Sequence, residues 1–144
     1  MIADDIIARL EQLSPASTAL WGKMSVGQML AHCADIFRDI LRDRETPVLV
    51  SPEIAERARK IILAPEPFPR ELRAIRHYRP EDGGTKPTEF MTDRDSLIDS
   101  IRRFESTTPE YSFGPHPAIG FLTREEHSLH IWKHLDHHLQ QFGV

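Results

Sequence analysis

The chain has 144 residues, 40% hydrophobic and 28% charged, which suits a single domain over residues 1–144 and excludes a disordered or fibrous chain. Eighteen Lys and Arg against 22 Asp and Glu give a formal charge of -4, with no basic surplus for a phosphate backbone, so nucleic acid is not an expected partner. One cysteine, Cys33, cannot close an internal disulfide, and with neither a charged-then-apolar leader nor a long apolar run the expectation is a cytoplasmic protein without a membrane segment.

In chain order, Ile6, Ile7, Leu10 and Leu13 recur at helical spacing, predicting a short helix from Ile2 to Leu13 that Ser14-Pro15 stops. Ser25 and Gln28 form a capping-box pattern, which opens a second helix running to about Asp43. Its apolar positions Val26, Met29, Leu30, Cys33, Ile36, Phe37, Ile40 and Leu41 form a face broad enough for more than one neighbour, as in a central helix. Cys33 sits mid-face and reads as a packed, inert thiol. Ser51 caps a third helix with Pro52 at its first position, and it reaches about Leu63 before Pro65, Pro67 and Pro69.

From Ala64 to Thr92 the chain is Pro-rich, contains Gly83-Gly84 and has no sustained period. Such a connection is a lid, a packed wrap or a mobile segment. Its basic run Arg70, Arg73, Arg76 and His77 is either a solvated face or an anion-binding lid for a carboxylate-bearing substrate. Thr92 and Asp93 are expected to cap a fourth helix carrying Leu97, Ile98, Ile101 and Phe104, which ends at Thr107-Thr108-Pro109. Thr123 and Glu126 form another capping box, and the last helix reaches about Phe142, with Gly143 as its stop. No alternating strand pattern appears, so the fold class is all-α: a helical bundle with an extra short helix and a long Pro-rich connection.

Chemistry concentrates in the histidines, of which there are eight, five of them between His127 and His138. On a helical wheel whose apolar stripe is Ile131, Leu135, Leu139 and Phe142, His127, His134 and His138 flank the stripe and point inward, while His130 and His137 turn toward solvent. His134 and His138, four apart, share one face and can converge on one ion, as metalloprotease helices do. A catalytic divalent metal needs a third ligand, and His32 on the edge of the second helix's apolar face is the candidate. His127 lies about 16 Å along the axis from His138 and is a poor third ligand. His116 is an alternative third ligand, a loop-borne base or a fourth ligand, His137 a second group able to move a proton, and Asp136 a weaker candidate for orienting a ligand imidazole. Trp21 and Trp132 read as packing residues, either of which could wall a pocket.

The runs Trp21-Gly22-Lys23-Met24-Ser25 and Gln28-Met29-Leu30-Ala31-His32 resemble the start of the metal-bearing helix in the DinB-like superfamily of four-helix bundles. His116-Pro117-Ala118-Ile119-Gly120, Leu122-Thr123 and the stretch from Lys133 to Gly143 look like the C-terminal signature of an uncharacterised branch, a domain of unknown function. From about Pro47 to Thr92 nothing matches. The resemblance implies a bundle in which His32, His134 and His138 hold a divalent metal, usually nickel or zinc, often in a homodimer. His127 stands where relatives tend to carry an aromatic residue, which leaves open a second, outer metal site or a surface histidine. Superfamily members with known activity include thiol-dependent transferases and isomerases, so a low-molecular-weight thiol is an expected cofactor.

Two functions follow as expectations. The first is a metal-dependent enzyme, hydrolase or thiol transferase, acting on a small-molecule substrate. The second is a non-catalytic bundle in which the ion ties helices together or the domain binds a ligand or partner. A third possibility is a set of histidines that hold no metal and only hydrogen-bond.

Overall fold

A computed structural model describes residues 2–144, which form five α-helices: α1 (Ile2–Glu11), α2 (Val26–Ile40), α3 (Pro52–Ile62), α4 (Phe90–Glu105) and α5 (Arg124–Gln141). A single 3-10 turn spans Arg76–Tyr78, and the described residues contain no strand, only one bridge between His116 and Gly120. Among them no helix is long and apolar enough to cross a membrane.

The predicted caps at Ser25, Ser51 and Thr123 are present, with full capping boxes at the first and last. Helix α1 ends at Glu11, a little before the predicted Leu13, and two boundaries differ more from the sequence reading. Helix α2 stops at Ile40 rather than near Asp43, because Arg42 takes a left-handed conformation (φ 61°) that reverses the chain. The Arg42 N–H bonds to the Asp39 carbonyl and the Asp43 N–H to that of Arg38, a Schellman closure made without glycine. The Arg42 guanidinium offsets the strain by bonding to the carbonyls of Ser112 and Phe113. Helix α4 starts at Phe90, because Glu89 and not Thr92 is its cap: the Glu89 carboxylate accepts the N–H groups of Met91 and Thr92. Asp93 instead reaches back to the Thr88 N–H and hydroxyl.

Helices α1, α2, α4 and α5 share one core. Leu10, Leu30, Phe37, Ile40, Leu97, Ile101, Phe104, Ile131, Leu135 and Leu139 are buried in it, and the Phe37 and Phe104 rings meet edge to face at 6.3 Å. Helix α3 stands apart and buries no residue. It is fastened to α5 by an Arg59–Glu126 ion pair and by Lys133, whose ammonium donates to the carbonyls of Ile61, Ile62 and Ala64 at the end of α3.

The long connection is a packed wrap over residues 76–89. Two buried carboxylates of α2 hold it. Asp35 accepts the Thr85 N–H and hydroxyl, and Asp39 accepts the Tyr78 hydroxyl at 2.5 Å, the Arg44 Nε at 2.5 Å and the Thr46 hydroxyl at 2.6 Å, with His77 Nε2 at 3.0 Å. Burial pushes the Asp39 pKa up, but bonds from Arg44, Thr46 and Tyr78 outweigh it and leave the carboxyl below its ordinary range.

Truncating the fully buried Phe104 to Ala should cost about 3–5 kcal/mol, measured by urea unfolding, because the ring touches three partners: Phe37, Phe113 and the Arg124 guanidinium.

Candidate functional site

The inner face of α5 is a row of imidazoles. His127, His130, His134 and His138 are all buried, and so is His32 on the facing helix α2. The structure brings His32, His134 and His138 together: ring centroids lie 4.7 to 4.9 Å apart, and one nitrogen from each ring falls within 4.8 Å of the others. Their exposure, 6%, 8% and 7%, is small but exceeds that of the core around them.

Two of the rings have their tautomers set by neighbours. His32 Nδ1 lies 2.8 Å from the Tyr78 carbonyl, which can only accept, so Nδ1 carries the proton and Nε2 keeps its lone pair. His138 Nδ1 donates to the Gln141 Oε1 at 2.8 Å, with the same result, and the Gln141 amide is itself oriented by donating to the Trp21 carbonyl at 2.9 Å. Gly22 makes room for that amide: at φ 76° it takes a left-handed turn, and a Cβ there would meet the Gln141 Nε2 at 2.7 Å. His134 Nε2 sits 2.9 Å from His32 Nε2, so a single proton is shared between them when nothing else binds these lone pairs.

Burial lowers the pKa of all three triad rings, that of His138 to about 3, so they are neutral at neutral pH. Neutral imidazoles are the protonation state that metal ligation requires, and at His32 and His138 the outer N–H is already bonded to a carbonyl oxygen, which leaves Nε2 as the ligating atom. The span between nitrogens, from 2.9 Å to under 4.8 Å, brackets the separation of about 3.3 Å that ligands at about 2.0–2.1 Å from a tetrahedral zinc adopt. The residues present therefore fit a divalent ion.

The other candidates lie around this triad. His116 is buried in the bridge loop, where its Nδ1 accepts the Ala118 N–H and its ring packs 4.9 Å from His130 and 5.8 Å from Tyr78. Burial lowers its pKa to about 3. His137 is only partly buried and packs against Trp21, Phe68 and His138, and burial lowers its pKa against a hydrogen bond to the Phe68 carbonyl. His130 corrects the wheel reading: it is 3% exposed, because the His116 loop and Phe68 close over the side of α5 that would otherwise meet solvent. His127 is not a surface group either, being fully buried against Phe113. Asp136 bonds to Arg9 and Gln140 and to no triad imidazole. Cys33 is buried, and burial pushes its thiol pKa far up, consistent with an inert packing role.

The sequence reading missed Tyr78 and Gln141 as supports of the ligand rings. Gln141, three residues after His138 and therefore on its face, carried a usable signal; Tyr78 gave none, since its part is played by a backbone carbonyl.

A family model described as "Protein of unknown function (DUF1569)" matches residues 2–143. No curated protein and no solved structure matches the chain.

The buried outlying rings set a pH dependence. His116 and His127 bind a proton more weakly in the folded chain, at about 3 and about 4, than at the ordinary 6.5, so their contribution to stability is whole above pH 6.5 and is lost as the pH falls through that window. Unfolding free energy should drop below pH 6.5 by up to about 1.4 kcal/mol per pH unit for each ring. A His127→Phe variant should show a shallower fall between pH 6.5 and 4 in urea titrations.

Proposed function

Because the chain belongs to that family, whose description carries no activity, we propose its function from the site itself: a metal-dependent enzyme of DinB-like type that acts on a small molecule through a divalent ion held by His32, His134 and His138. The observation that carries this reading is the pair of outer hydrogen bonds, from His32 Nδ1 to the Tyr78 carbonyl and from His138 Nδ1 to the Gln141 Oε1, which leave the Nε2 lone pairs of both rings free to ligate within a buried cluster of three imidazoles. The DinB-like assignment is supported by the four helices around one core, with one ligand candidate on α2 and two on α5.

Three neutral donors leave a nickel or zinc ion its full charge, and such an ion lowers the pKa of an oxygen or sulfur ligand into the neutral range, the chemistry that hydrolysis and thiol transfer both need. The chain supplies the rest. Tyr78 and Gln141 orient the ligand rings, and the burial of α5 keeps bulk water from them. His137, the most open of the neighbouring imidazoles, is the group that holds or moves a proton beside His138. A low-molecular-weight thiol fits this chemistry as a co-substrate.

A second reading draws on the near-complete burial of the triad and its bridging of α2 to α5: an ion that only ties the helices together. A cobalt-substituted sample separates the two, since an enzyme keeps an exchangeable coordination position and a structural tie does not.

Elemental analysis of tag-free protein should find about one divalent ion per chain and none in His134→Ala. Gln141→Ala, which frees the His138 ring, should weaken metal affinity by about 10–100-fold in competition with a chromophoric chelator. Absence of metal after loading would refute the reading.

A further inference from the structure

Beside His137, whose ring meets that of His138, stand two donors that the fold leaves unused, one exposed and one buried. The Arg70 guanidinium lies 4.1 Å over the Trp21 ring, and among the described residues it has no acidic partner, whereas its neighbours in the basic run, Arg73 and Arg76, pair with Glu81 and Asp82. The Trp21 Nε1–H is buried and has no hydrogen-bond acceptor, a state that costs free energy unless something else supplies one. Trp21 is tied to the triad by a short path, and Arg70 is held over its ring. The Trp21 carbonyl holds the Gln141 amide that orients His138, and the Trp21 ring meets His137 edge-on at 5.9 Å. Arg70 is close enough for its charge to be felt at His137. The other cation at this edge, Lys133, is occupied by three carbonyls of the α3 terminus.

A cation without an anion next to a buried N–H without an acceptor is a complementary pair for one kind of ligand group. We propose that Arg70 and Trp21 bind the carboxylate of the substrate, so that the ligand acting at the His32, His134 and His138 centre is a small carboxylate-bearing molecule. A carboxylate has two oxygens, one for the guanidinium and one for the indole N–H. Phe68 packs on His130 and on His137, the ring that Trp21 also meets, and supplies an apolar wall there. The inference rests on the metal reading above and adds the substrate class to it.

The test uses cobalt-loaded protein titrated at neutral pH with 3-mercaptopropionate and with its neutral counterpart 3-mercaptopropanol, each followed by the sulfur-to-cobalt absorption band. The acid should bind about tenfold tighter or better than the alcohol. Arg70→Gln should remove most of that preference, and Trp21→Phe, which keeps the ring and loses the N–H, should reduce it by several-fold; unchanged cobalt spectra before thiol addition verify that both variants are intact. If cobalt binds but the two thiols bind alike or not at all, or if the preference survives Arg70→Gln, the carboxylate site is overturned and the metal centre stands. If cobalt does not bind, both fall.

Discussion

An ionised carboxylate has no stable place inside a helical core unless several donors converge on it, and Asp39 of α2 imposes that condition on the whole connection between α2 and α4. Its oxygens gather the Tyr78 hydroxyl, the Arg44 guanidinium, the Thr46 hydroxyl and the His77 ring, and the chain must bend across the helix to deliver them. Seven residues earlier on the same helix, His32 grips the carbonyl of Tyr78. One tripeptide thus helps to satisfy a buried charge with its side chains and orients a site imidazole with its backbone. Asp35, holding Thr85, pins the next part of the wrap to the same helix.

The site has the same logic on its other side. His138 is steered by Gln141, Gln141 by the Trp21 carbonyl, and the amide finds space because Gly22 has no side chain. Two segments far apart in sequence, the turn before α2 and the end of α5, are joined by this line of bonds and by the Leu20 N–H, which donates to the Gln141 carbonyl. Each link is neutral, which matters in a pocket where burial already disfavours any charged imidazole. Orientation is therefore achieved without placing a carboxylate among the rings.

Much of this was legible in residue order because the relevant signals are local. The capping boxes at Ser25 and Thr123, the Pro52 start and the four-residue step from His134 to His138 depend on neighbours within one helical turn, and the structure contains all of them. The approach of His32 to that pair followed from apolar periodicity on two helices. What escaped depends on contacts distant in sequence. Arg42 could not be read as a helix stop, since its left-handed turn is upheld by carbonyls some 70 residues away. Likewise, His130 looked solvent-facing on a lone helical wheel, but a wheel has no knowledge of Phe68 or the His116 loop. Glu89 was passed over as a cap because Thr92 and Asp93 offered the commoner residue types three and four positions later.

Helix α3 gives the molecule an uneven distribution of stability. It contributes no buried residue to the core, and one ion pair with one ammonium group fastens it to α5. Local opening of Pro52–Ile62 forfeits those polar contacts and the packing of a few half-buried side chains such as Ala55, Ala58 and Ile62, but no buried core residue, so its amides exchange with solvent deuterium well before those of α2 or α4, and a protease finds its first cleavage sites there. Because His32, His134 and His138 stand on α2 and α5, a chain nicked in α3 retains the histidine centre and the core that holds it.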